Sequence, residues 1–583
     1  MSVSRELKMH RIDTDVLIIG GGLAGAFAAI KAKQAKEKEV TLVSKGKLGK
    51  DGVSSFAAGG FTTVFPEDDR EALFRIWGLS EAYGAGLYDE EWLNIWLDEN
   101  YDRVLDMEKW GVEWEKTTDG KFERKVGRMG KTVAMFRGPQ MMEAMAKKVI
   151  DEGVRVIGHT MITDLLTENG KTEGRVIGAV GFDVRTGEFR VFTARATVLA
   201  AGGCSFKARG PCYRFQTGEA CTMAYRAGAK LGRFEVGDRL YVTAADFDTQ
   251  GLFLFVALGG RFVNAKGEQF MAEYDPELKD RASLSRISAA SAMEVRAGRG
   301  PIYLDMTHFA PEDVRKMRVV LPIPTRILER AGVLVADRIV KRIEVAPTVG
   351  GSVGSGCGGV IANTKCETPL PGLYVCGNAM SRPPHFVALS AAAISGARAG
   401  KFAAEYGEEL KAPEIDEEQV AKLRKFAFAP MERKDGIEPD HIIIGLNETF
   451  APYEVTVISR GDRLEKAIKE VERMRDEEVP LLYASDPHYL RLANETKNIV
   501  LVAEMYLKSC MLREDSREGC FREDYPYTDN MNWLKWTMLK QENGKMKLWT
   551  EDIPVERYKI KPKREKYLHP VFEIARKRGV KWG

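Results

Sequence analysis

Short apolar runs along the chain are separated by stretches whose composition suits helices. The first run, 15–19, leads through a group of glycines into a helix-compatible stretch at 26–34. Further apolar runs at 39–43, 196–201 and 372–378 have the length and the flanking glycines of buried strands. This order of strand, turn, helix and strand predicts an α/β fold that begins with a βαβ unit.

The first strand runs directly into the glycine pattern Gly20-x-Gly22-x-x-Gly25. Gly20 allows a tight turn, Gly22 lets the backbone approach a pyrophosphate, and Gly25 lets the helix pack closely on the strand. The phosphates then lie at a helix N-terminus, where free N–H groups and the helix dipole favour anions. A strand before the pattern and a second strand after it favour a bound dinucleotide over a structural glycine turn.

Composition and charge exclude several classes of protein. The chain has 583 residues, which is too long for a single core, so we expect several domains. A formal net charge of +3 is too close to balance to indicate a nucleic-acid partner. No apolar run reaches the roughly 18 residues that a transmembrane helix needs, and the polar N-terminus lacks the core of a signal peptide. We therefore expect a cytoplasmic protein without a transmembrane segment, at most peripheral to a membrane through a partner.

The eight cysteines predict no cluster or metal site on this chain. None of them forms a CxxC pair, and no stretch has the spacing of ferredoxin or zinc ligands. We expect reduced and mostly buried thiols and no bound metal. If the protein transfers single electrons, its iron–sulfur relay must lie on another chain.

Several ordered motifs carry a resemblance that extends over nearly the whole chain. Beyond the first glycine pattern, these motifs are the segments 44–45, 57–60, 200–203, 217–219, 224–229, 264–271, 298–300, 303–305, 514–517, 522–526 and 532–535. On these segments the chain resembles the flavoprotein subunit family of succinate dehydrogenase, fumarate reductase, L-aspartate oxidase and adenylylsulfate reductase.

The resemblance implies FAD as the dinucleotide and an α/β architecture in several parts. A Rossmann-like FAD-binding domain would comprise 1–241 and 343–410. An α+β capping domain at 242–342 would interrupt it, and a C-terminal helical region at 411–583 would follow. The residues that the resemblance implies for FAD binding are Gly20, Gly22, Gly25, Ser44, Lys45, Ser54, Ser55, Ala58, Gly59, Gly60, Ala201, Gly202, Gly377 and Asn378.

The chain departs from the dicarboxylate enzymes of the family at informative positions. Where members with covalent flavin have a histidine, this chain has Ser54, and serine cannot form the histidyl–flavin bond. We therefore expect noncovalent FAD. Two further histidines, which bind the substrate carboxylate in the family, are missing from 234–241 and 354–359. Fumarate, succinate and aspartate are correspondingly less expected as substrates.

Arginines and one histidine are the candidates for substrate chemistry. Arg286 lies near the family's capping-domain arginine, the proposed proton donor, with Arg281 as the competing position. Arg382 lies near a second family arginine, and a planar guanidinium can clamp an anionic substrate. His385 could bind an anion or move a proton near neutral pH. The alternative for each is a packing or surface role.

These observations favour an FAD-dependent oxidoreductase subunit. It would exchange a hydride with a small anionic substrate and pass electrons singly to an iron–sulfur partner, as in fumarate reductase or adenylylsulfate reductase. One alternative is a self-contained flavin oxidase of the L-aspartate oxidase type. Another is an electron-transfer or scaffold subunit that carries FAD without substrate chemistry of its own.

Overall fold

The structure is a computed structural model of the chain. It describes residues 9–57, 59–126, 132–136, 138–207, 214–236, 240–249, 252–349, 358–381, 388–406 and 413–582. No helix within these ranges combines the length and the hydrophobicity that crossing a bilayer requires.

The part of the chain before residue 237 alternates strands and helices. Its elements are β1 (Met9–Ile19), α1 (Leu23–Ala35), β2 (Val40–Val43), β3 (Gly60–Thr62), α2 (Arg70–Leu79), α3 (Glu90–Lys109), β4 (Arg124–Val126), β5 (Thr132–Met135), α4 (Gly138–Asp151), β6 (Arg155–Ile157), β7 (Thr160–Thr167), β8 (Val176–Asp183), β9 (Phe189–Leu199), α5 (Glu219–Arg226) and β10 (Leu231–Gly232).

Residues 240–349, which we call the middle unit, form a second group of elements. These are β11 (Leu240–Ala244), α6 (Leu252–Ala257), β12 (Arg261–Val263), α7 (Met271–Tyr274), α8 (Leu284–Glu294), β13 (Ile302–Asp305), α9 (Pro311–Val320), α10 (Pro322–Arg330), β14 (Leu334–Val335), β15 (Arg338–Ile339) and β16 (Ile343–Val349).

The remainder of the chain first adds strands that pair with strands of the first group and then continues into a C-terminal region. Its elements are β17 (Gly359–Ile361), β18 (Leu373–Val375), β19 (Met380–Ser381), α11 (Ala388–Glu405), α12 (Glu417–Glu432), α13 (Pro439–Phe450), α14 (Tyr453–Thr456), β20 (Ile458–Ser459), α15 (Gly461–Arg473), α16 (Pro487–Leu512), β21 (Phe521–Arg522), β22 (Tyr527–Asp529), β23 (Lys535–Glu542), β24 (Lys545–Asp552), β25 (Lys566–Leu568) and α17 (Pro570–Lys577).

The largest sheet brings the predicted strands together. Its order is β6-β2-β1-β9-β8-β7, and β18 also pairs with β9. The pairs among β6, β2, β1, β9 and β18 are parallel, whereas β9, β8 and β7 pair antiparallel. Residues 16–19 of β1 are all buried, as expected for a strand that is covered on both faces. The mixed helix-and-sheet fold predicted from the sequence is thus observed.

Helix α11 packs along α1, and glycines make this close approach possible. A Cβ atom at Gly396 would lie 2.3 Å from the carbonyl oxygen of Ala24, and one at Gly400 would lie 2.0 Å from that of Ala28. The small residues of α11 therefore allow the two helices to pack closely. The contact fixes the helix that begins at the glycine turn against the returning part of the chain.

The middle unit has its own sheet and its own core. The strand order is β11-β16-β13-β12, and all pairs are antiparallel. Helix α8 is buried along its whole length and packs on β11 and β16. Three residues of α17, near the end of the chain, complete this core: Val571, Phe572 and Ala575.

The prediction of a helical C-terminal region is correct only up to about residue 512. Beyond it, β23 and β24 form a hairpin that joins the sheet β19-β17-β10-β23-β24. The hairpin turns at Asn543 and Gly544, which both have positive φ. An Asn-Gly pair between alternating strands is a strong hairpin signal. The sequence prediction missed this signal because charged residues on the exposed face of the hairpin dominate the composition of the region.

Candidate functional site

A cavity of about 360 Å³ lies where β1 ends and α1 begins. Most of its wall comes from segments that follow strands of the large sheet, as expected for ligand sites at the carboxyl ends of parallel strands. The lining residues are Ile19, Gly20, Gly21, Gly22, Leu23, Ala24, Val43, Ser44, Lys45, Asp51, Gly52, Val53, Ser54, Phe56, Ala57, Thr160, Met161, Ile162, Ala200, Ala201, Gly202, Phe215, Gln216, Glu219, Leu254, Gly377, Asn378, Ala388, Leu389 and Ala392.

The glycine turn has the geometry that its three positions predict. Gly20 has a φ of +119°, and a Cβ there would lie 2.4 Å from the carbonyl oxygen of Ala200. A Cβ at Gly25 would lie 1.9 Å from the carbonyl oxygen of Gly20. At Gly22 a Cβ would meet only Ser54 Oγ, at 3.4 Å. Gly20 and Gly25 are thus required by packing, while Gly22 leaves open space on the cavity side.

The N-terminus of α1 is arranged to receive an anion. Its N-cap residue, Gly22, has no side chain to satisfy the first N–H groups, and the first turn has no acidic residue. Ser54 Oγ accepts a hydrogen bond from the backbone N–H of Leu23 at 3.2 Å. Free N–H groups and the positive end of the helix dipole face the cavity together. This cradle fits the pyrophosphate of a dinucleotide.

Lys45 follows β2 and holds two carboxylates at the cavity wall. Its Nζ lies 2.7 Å from Glu219 Oε1, 2.8 Å from Glu495 Oε1 and 2.9 Å from Thr217 Oγ1. Burial acts to lower the pKa of Lys45, but the carboxylates of Glu219 and Glu495 outweigh it, so that the pKa is raised. Lys45 is therefore a permanent cation whose charge is already compensated by two acids.

Most of the predicted FAD contacts meet at this cavity, although they come from distant parts of the sequence. Nine of them line it: Gly20, Gly22, Ser44, Lys45, Ser54, Ala201, Gly202, Gly377 and Asn378. Their contact with FAD stays a prediction.

Four predicted residues support the wall without lining it. Gly25 lies inside α1, and Ser55 donates a hydrogen bond from Oγ to the carbonyl oxygen of Asp51 at 2.9 Å. Gly59 has a φ of +90°, and a Cβ there would lie 2.5 Å from the carbonyl oxygen of Phe136. Gly60 begins β3. The predicted residue Ala58 lies outside the described residues.

One part of the cavity wall is apolar and was not predicted from the sequence. The rings of Phe56 and Phe215 are stacked, with centroids 5.4 Å apart and planes 14° apart. Leu254, on α6, is contributed by the middle unit, and Leu389 by α11. No local pattern marks these residues, because only the fold brings the four segments together.

Arg286 is buried at the contact between the middle unit and the C-terminal region. Its Nε donates to Glu518 Oε1 at 2.9 Å, and its Nη1 to Asp275 Oδ2 at 3.4 Å. Ser283 Oγ donates to the other oxygen of Glu518 at 2.6 Å. Although burial acts to lower it, the pKa of Arg286 is raised by Glu518, Glu81 and Asp275. Arg286 thus lies in this link and not among the described residues that line the cavity, and its role toward a substrate stays a prediction.

Arg281 has a different environment. It ends a short helix, Lys279–Arg281, that packs against α6, the helix that carries Leu254. Its side chain is exposed and makes no hydrogen bond or ion pair with any described residue. The other two predicted substrate residues, Arg382 and His385, lie outside the described residues, so their roles stay predictions.

The six cysteines in the described ranges are buried, and no disulfide joins any two of them, as the sequence predicts. Burial raises the pKa of the Cys221 thiol to about 12, so this residue is a neutral thiol at physiological pH. Within the same ranges, no group of three histidine, cysteine, aspartate or glutamate side chains is arranged to hold a metal ion.

Two family models match the chain. One is described as an FAD binding domain and matches residues 15–393. The other is described as the C-terminal part of fumarate reductase flavoproteins and matches residues 448–567. Together they cover both the part that builds the cavity and most of the C-terminal region.

Individual relatives agree with the family models. One subunit of the fumarate reductase (CoM/CoB) of Methanothermobacter marburgensis is 29% identical over 558 residues, which are 91% of this chain and 97% of that relative. A solved E. coli quinol fumarate reductase chain superposes with a TM-score of 0.83 at 22% identity, covering 95% of this chain and 99% of that one. The adenylylsulfate reductase of Archaeoglobus fulgidus gives 0.75 at 24% identity, covering 94% and 97%. The two structures share the fold with this chain.

Proposed function

The chain belongs to the family of FAD-dependent oxidoreductases that contains the fumarate reductase flavoproteins, and from this premise we propose its reaction. It would exchange a hydride between FAD and a small anionic substrate at the contact between the cavity and the middle unit. Electrons would then pass to or from an iron–sulfur partner subunit. The observation that carries the proposal is the glycine cradle at the N-terminus of α1, which leaves space at Gly22 where a pyrophosphate would lie.

The residues that would hold FAD follow from the geometry of the cavity. The turn at Gly22 and the first N–H groups of α1 would receive the pyrophosphate, with Ser54 beside them. Glu219, fixed by Lys45, would offer a carboxylate to the hydroxyl groups of a ribose. When bound, FAD supplies two-electron hydride exchange and one-electron release, while the protein supplies position and electrostatics.

We propose Arg281 and not Arg286 as the arginine that would act on the substrate. The carboxylates of Glu518 and Asp275 already occupy two nitrogens of Arg286. The guanidinium of Arg281 is exposed beside α6 and has no partner among the described residues. A free planar guanidinium can form paired hydrogen bonds with a carboxylate and stabilise its charge.

The proposed FAD is noncovalent, because Ser54 stands where a histidyl bond would need histidine. Acid precipitation of the purified protein is expected to release yellow flavin into the supernatant. Fluorescence of the denatured polypeptide on a gel gives an independent reading. Flavin that stays with the precipitated chain would contradict this prediction.

An iron–sulfur partner is supported by the cysteine spacing of this chain and by the name of a relative, which is one component of a larger enzyme. We expect a tagged chain, expressed in its native cells and purified anaerobically, to carry a second protein that contains iron and acid-labile sulfide. The same chain expressed alone should contain FAD and no such cluster. A chain that purifies alone from its native cells and is reoxidised rapidly by oxygen would instead indicate a self-contained oxidase.

A further inference from the structure

A segment near the end of the chain carries a row of exposed cations on a buried support. We propose that this segment, residues 556–566, which we call the basic ridge, is the docking surface for an acidic electron-transfer protein. The inference rests on the proposed function, because it names the surface and the charge of the partner that would exchange electrons with FAD.

The basic ridge concentrates positive charge. Its eleven residues include six cations and two acids, so the segment has a net charge of +4, whereas the whole chain has +3. All six cations are exposed to solvent: Arg557, Lys559, Lys561, Lys563, Arg564 and Lys566. The positive charge of the protein is therefore distributed unevenly, and a partner that approaches this surface meets a cationic field.

Half of these cations have no compensating carboxylate. Lys561 and Arg564 share Glu556, at 3.0 and 3.4 Å, and Lys566 lies 3.2 Å from Asp529. The remaining three form no ion pair with any described residue: Arg557, Lys559 and Lys563. Their charges are available to carboxylates on a partner.

The other side of the segment is fixed to the body of the protein. Three residues that alternate with the cations are buried or half-buried: Tyr558, Ile560 and Pro562. Tyr558 donates from its hydroxyl group to the carbonyl oxygen of Tyr88 at 3.1 Å, and Tyr88 in turn donates to the carbonyl oxygen of Ile560. The backbone that carries the cations is thus already ordered, which reduces the entropy lost when a partner binds.

Two exposed apolar side chains lie beside the basic ridge. Strand β22 pairs with β25, and Asn530 Nδ2 donates to the carbonyl oxygen of Lys563 at 3.0 Å, so that 527–531 runs alongside the ridge. In this neighbouring segment, Tyr527 is 45% and Met531 55% exposed. Tyrosine, methionine and arginine are enriched where proteins bind one another. The surface therefore offers apolar contact area together with positive charge.

The basic ridge is connected to the cavity through α3. The backbone N–H of Lys559 donates to Glu90 Oε2, at the start of this helix, at 2.9 Å. Trp96 lies six residues further along α3, a rise of about 9 Å. Its Nε1 donates at 2.9 Å to Ser390 Oγ on α11, next to Leu389 in the cavity wall. A partner on the ridge would stand on the side of the protein that carries this wall.

These features fit an acidic electron carrier. Electron-transfer encounters bury small areas and use complementary charge to steer the two proteins together. The strongly hydrated lysines of the ridge suit such steering more than a dry, permanent interface. An anionic bilayer would also attract lysines, but it has no need to lie near the cavity, whereas an electron carrier does.

The test uses the FAD-loaded protein and a purified acidic two-cluster ferredoxin as electron donor, without oxygen. Each reduced ferredoxin supplies two electrons, which with two protons from water convert FAD to its reduced form, and flavin bleaching gives the rate. We expect the second-order rate constant to fall at least about tenfold between roughly 50 and 300 mM salt, because salt screens the attraction. Photoreduction by neutral deazariboflavin, which needs no docking, should not depend on salt.

Charge-reversal variants test the surface itself. The triple variant Lys559→Glu/Lys561→Glu/Lys563→Glu should lower the ferredoxin rate at least about tenfold at low salt. FAD content and the deazariboflavin rate should not change. The corresponding triple glutamine variant, which removes the charges without reversing them, should give an intermediate rate.

A matched control reverses the same number of charges elsewhere. Lys422→Glu/Lys425→Glu/Lys434→Glu changes three exposed lysines in or just beyond α12, which packs on β7 and β8 at the other edge of the large sheet. This variant should accept electrons from ferredoxin like the wild type. A control that is slowed as much as the ridge variant would show that only the overall charge matters and would overturn the inference.

The outcomes separate this inference from the proposed function. A ridge variant that reacts with ferredoxin as fast as the wild type, or a wild-type rate that is insensitive to salt, would overturn the inference. Sedimentation with phosphatidylserine vesicles tests the bilayer: binding that only the ridge variant loses, with an unchanged ferredoxin rate, would assign the ridge to a membrane instead. In each of these cases FAD stays bound and the proposed function stands. A purified protein that neither retains nor takes up FAD would overturn the proposed function itself.

Discussion

Gly22→Val is expected to give a folded protein that purifies almost free of FAD. A Cβ at this position meets only Ser54 Oγ, at 3.4 Å, so the substitution does not disturb the packing of the turn. The branched side chain would instead fill the space on the cavity side, where the pyrophosphate must approach the backbone. We expect FAD affinity to fall by about 100-fold, or about 2.7 kcal/mol. Flavin absorbance per polypeptide and the melting temperature are the measurements.

Two other glycines provide the controls for this prediction. Gly445→Ala, in α13, should retain FAD, because a Cβ there makes an ordinary contact of 3.4 Å with Met474 Cε and the residue does not line the cavity. Gly25→Ala should fail to fold normally, because its Cβ would lie 1.9 Å from the carbonyl oxygen of Gly20. Normal FAD content in a folded Gly22→Val protein would show that this turn does not hold the phosphates.

The glycine turn could be predicted from the sequence because its determinants are local. Strand, glycines and helix follow each other within 15–34, and each glycine has a separate steric reason that short-range spacing reveals. Helix α11 was predictable for a similar reason, since its run of small residues indicates a closely packed helix. The structure shows that this helix packs on α1.

The electrostatic part of the site depends on contacts that no local pattern contains. Lys45 and Glu495 are 450 positions apart in the sequence, yet their side chains form an ion pair at 2.8 Å. The ion pair between Arg286 and Glu518 joins residues 232 positions apart. Motif similarity singled out Arg286 as a candidate but could not reveal the buried carboxylates that surround it. The spacing of residues along the chain therefore predicts turns and the order of elements. The carboxylates that compensate a buried cation can be identified only in the folded structure.

The end of the chain is tied to the middle unit through Glu294, and we expect Glu294→Gln to destabilise the protein strongly. The carboxylate of Glu294 is fully buried and receives hydrogen bonds from Arg299 at 2.6 and 2.7 Å. Arg578, just beyond α17, donates to it at 2.7 and 3.0 Å. Breaking a buried ion pair by removing one partner costs about 3–5 kcal/mol, because it leaves the other charge uncompensated.

The pH dependence of this loss follows from the pKa of Glu294. Burial acts to raise it, but Arg299, Arg578 and Asn264 outweigh burial and lower the pKa to about 2. Because the folded-state pKa lies below its ordinary value of about 4.5, the carboxylate stabilises the fold fully above that pH and loses its contribution as the pH falls towards 2. The difference of about 2.5 pH units corresponds to about 3 kcal/mol.

Urea unfolding of the wild type and of Glu294→Gln should therefore differ most at neutral pH, and the difference should shrink as the pH falls from about 4.5 towards 2. Glu277→Gln is the matched control, because Glu277 is exposed in the same unit and makes no ion pair with a described residue. It should unfold like the wild type at every pH. A Glu294→Gln protein that is as stable as the wild type at neutral pH would show that this buried cluster does not hold the end of the chain to the middle unit. An offset that persists unchanged into acid would instead assign the loss of stability to packing and not to the charge of Glu294.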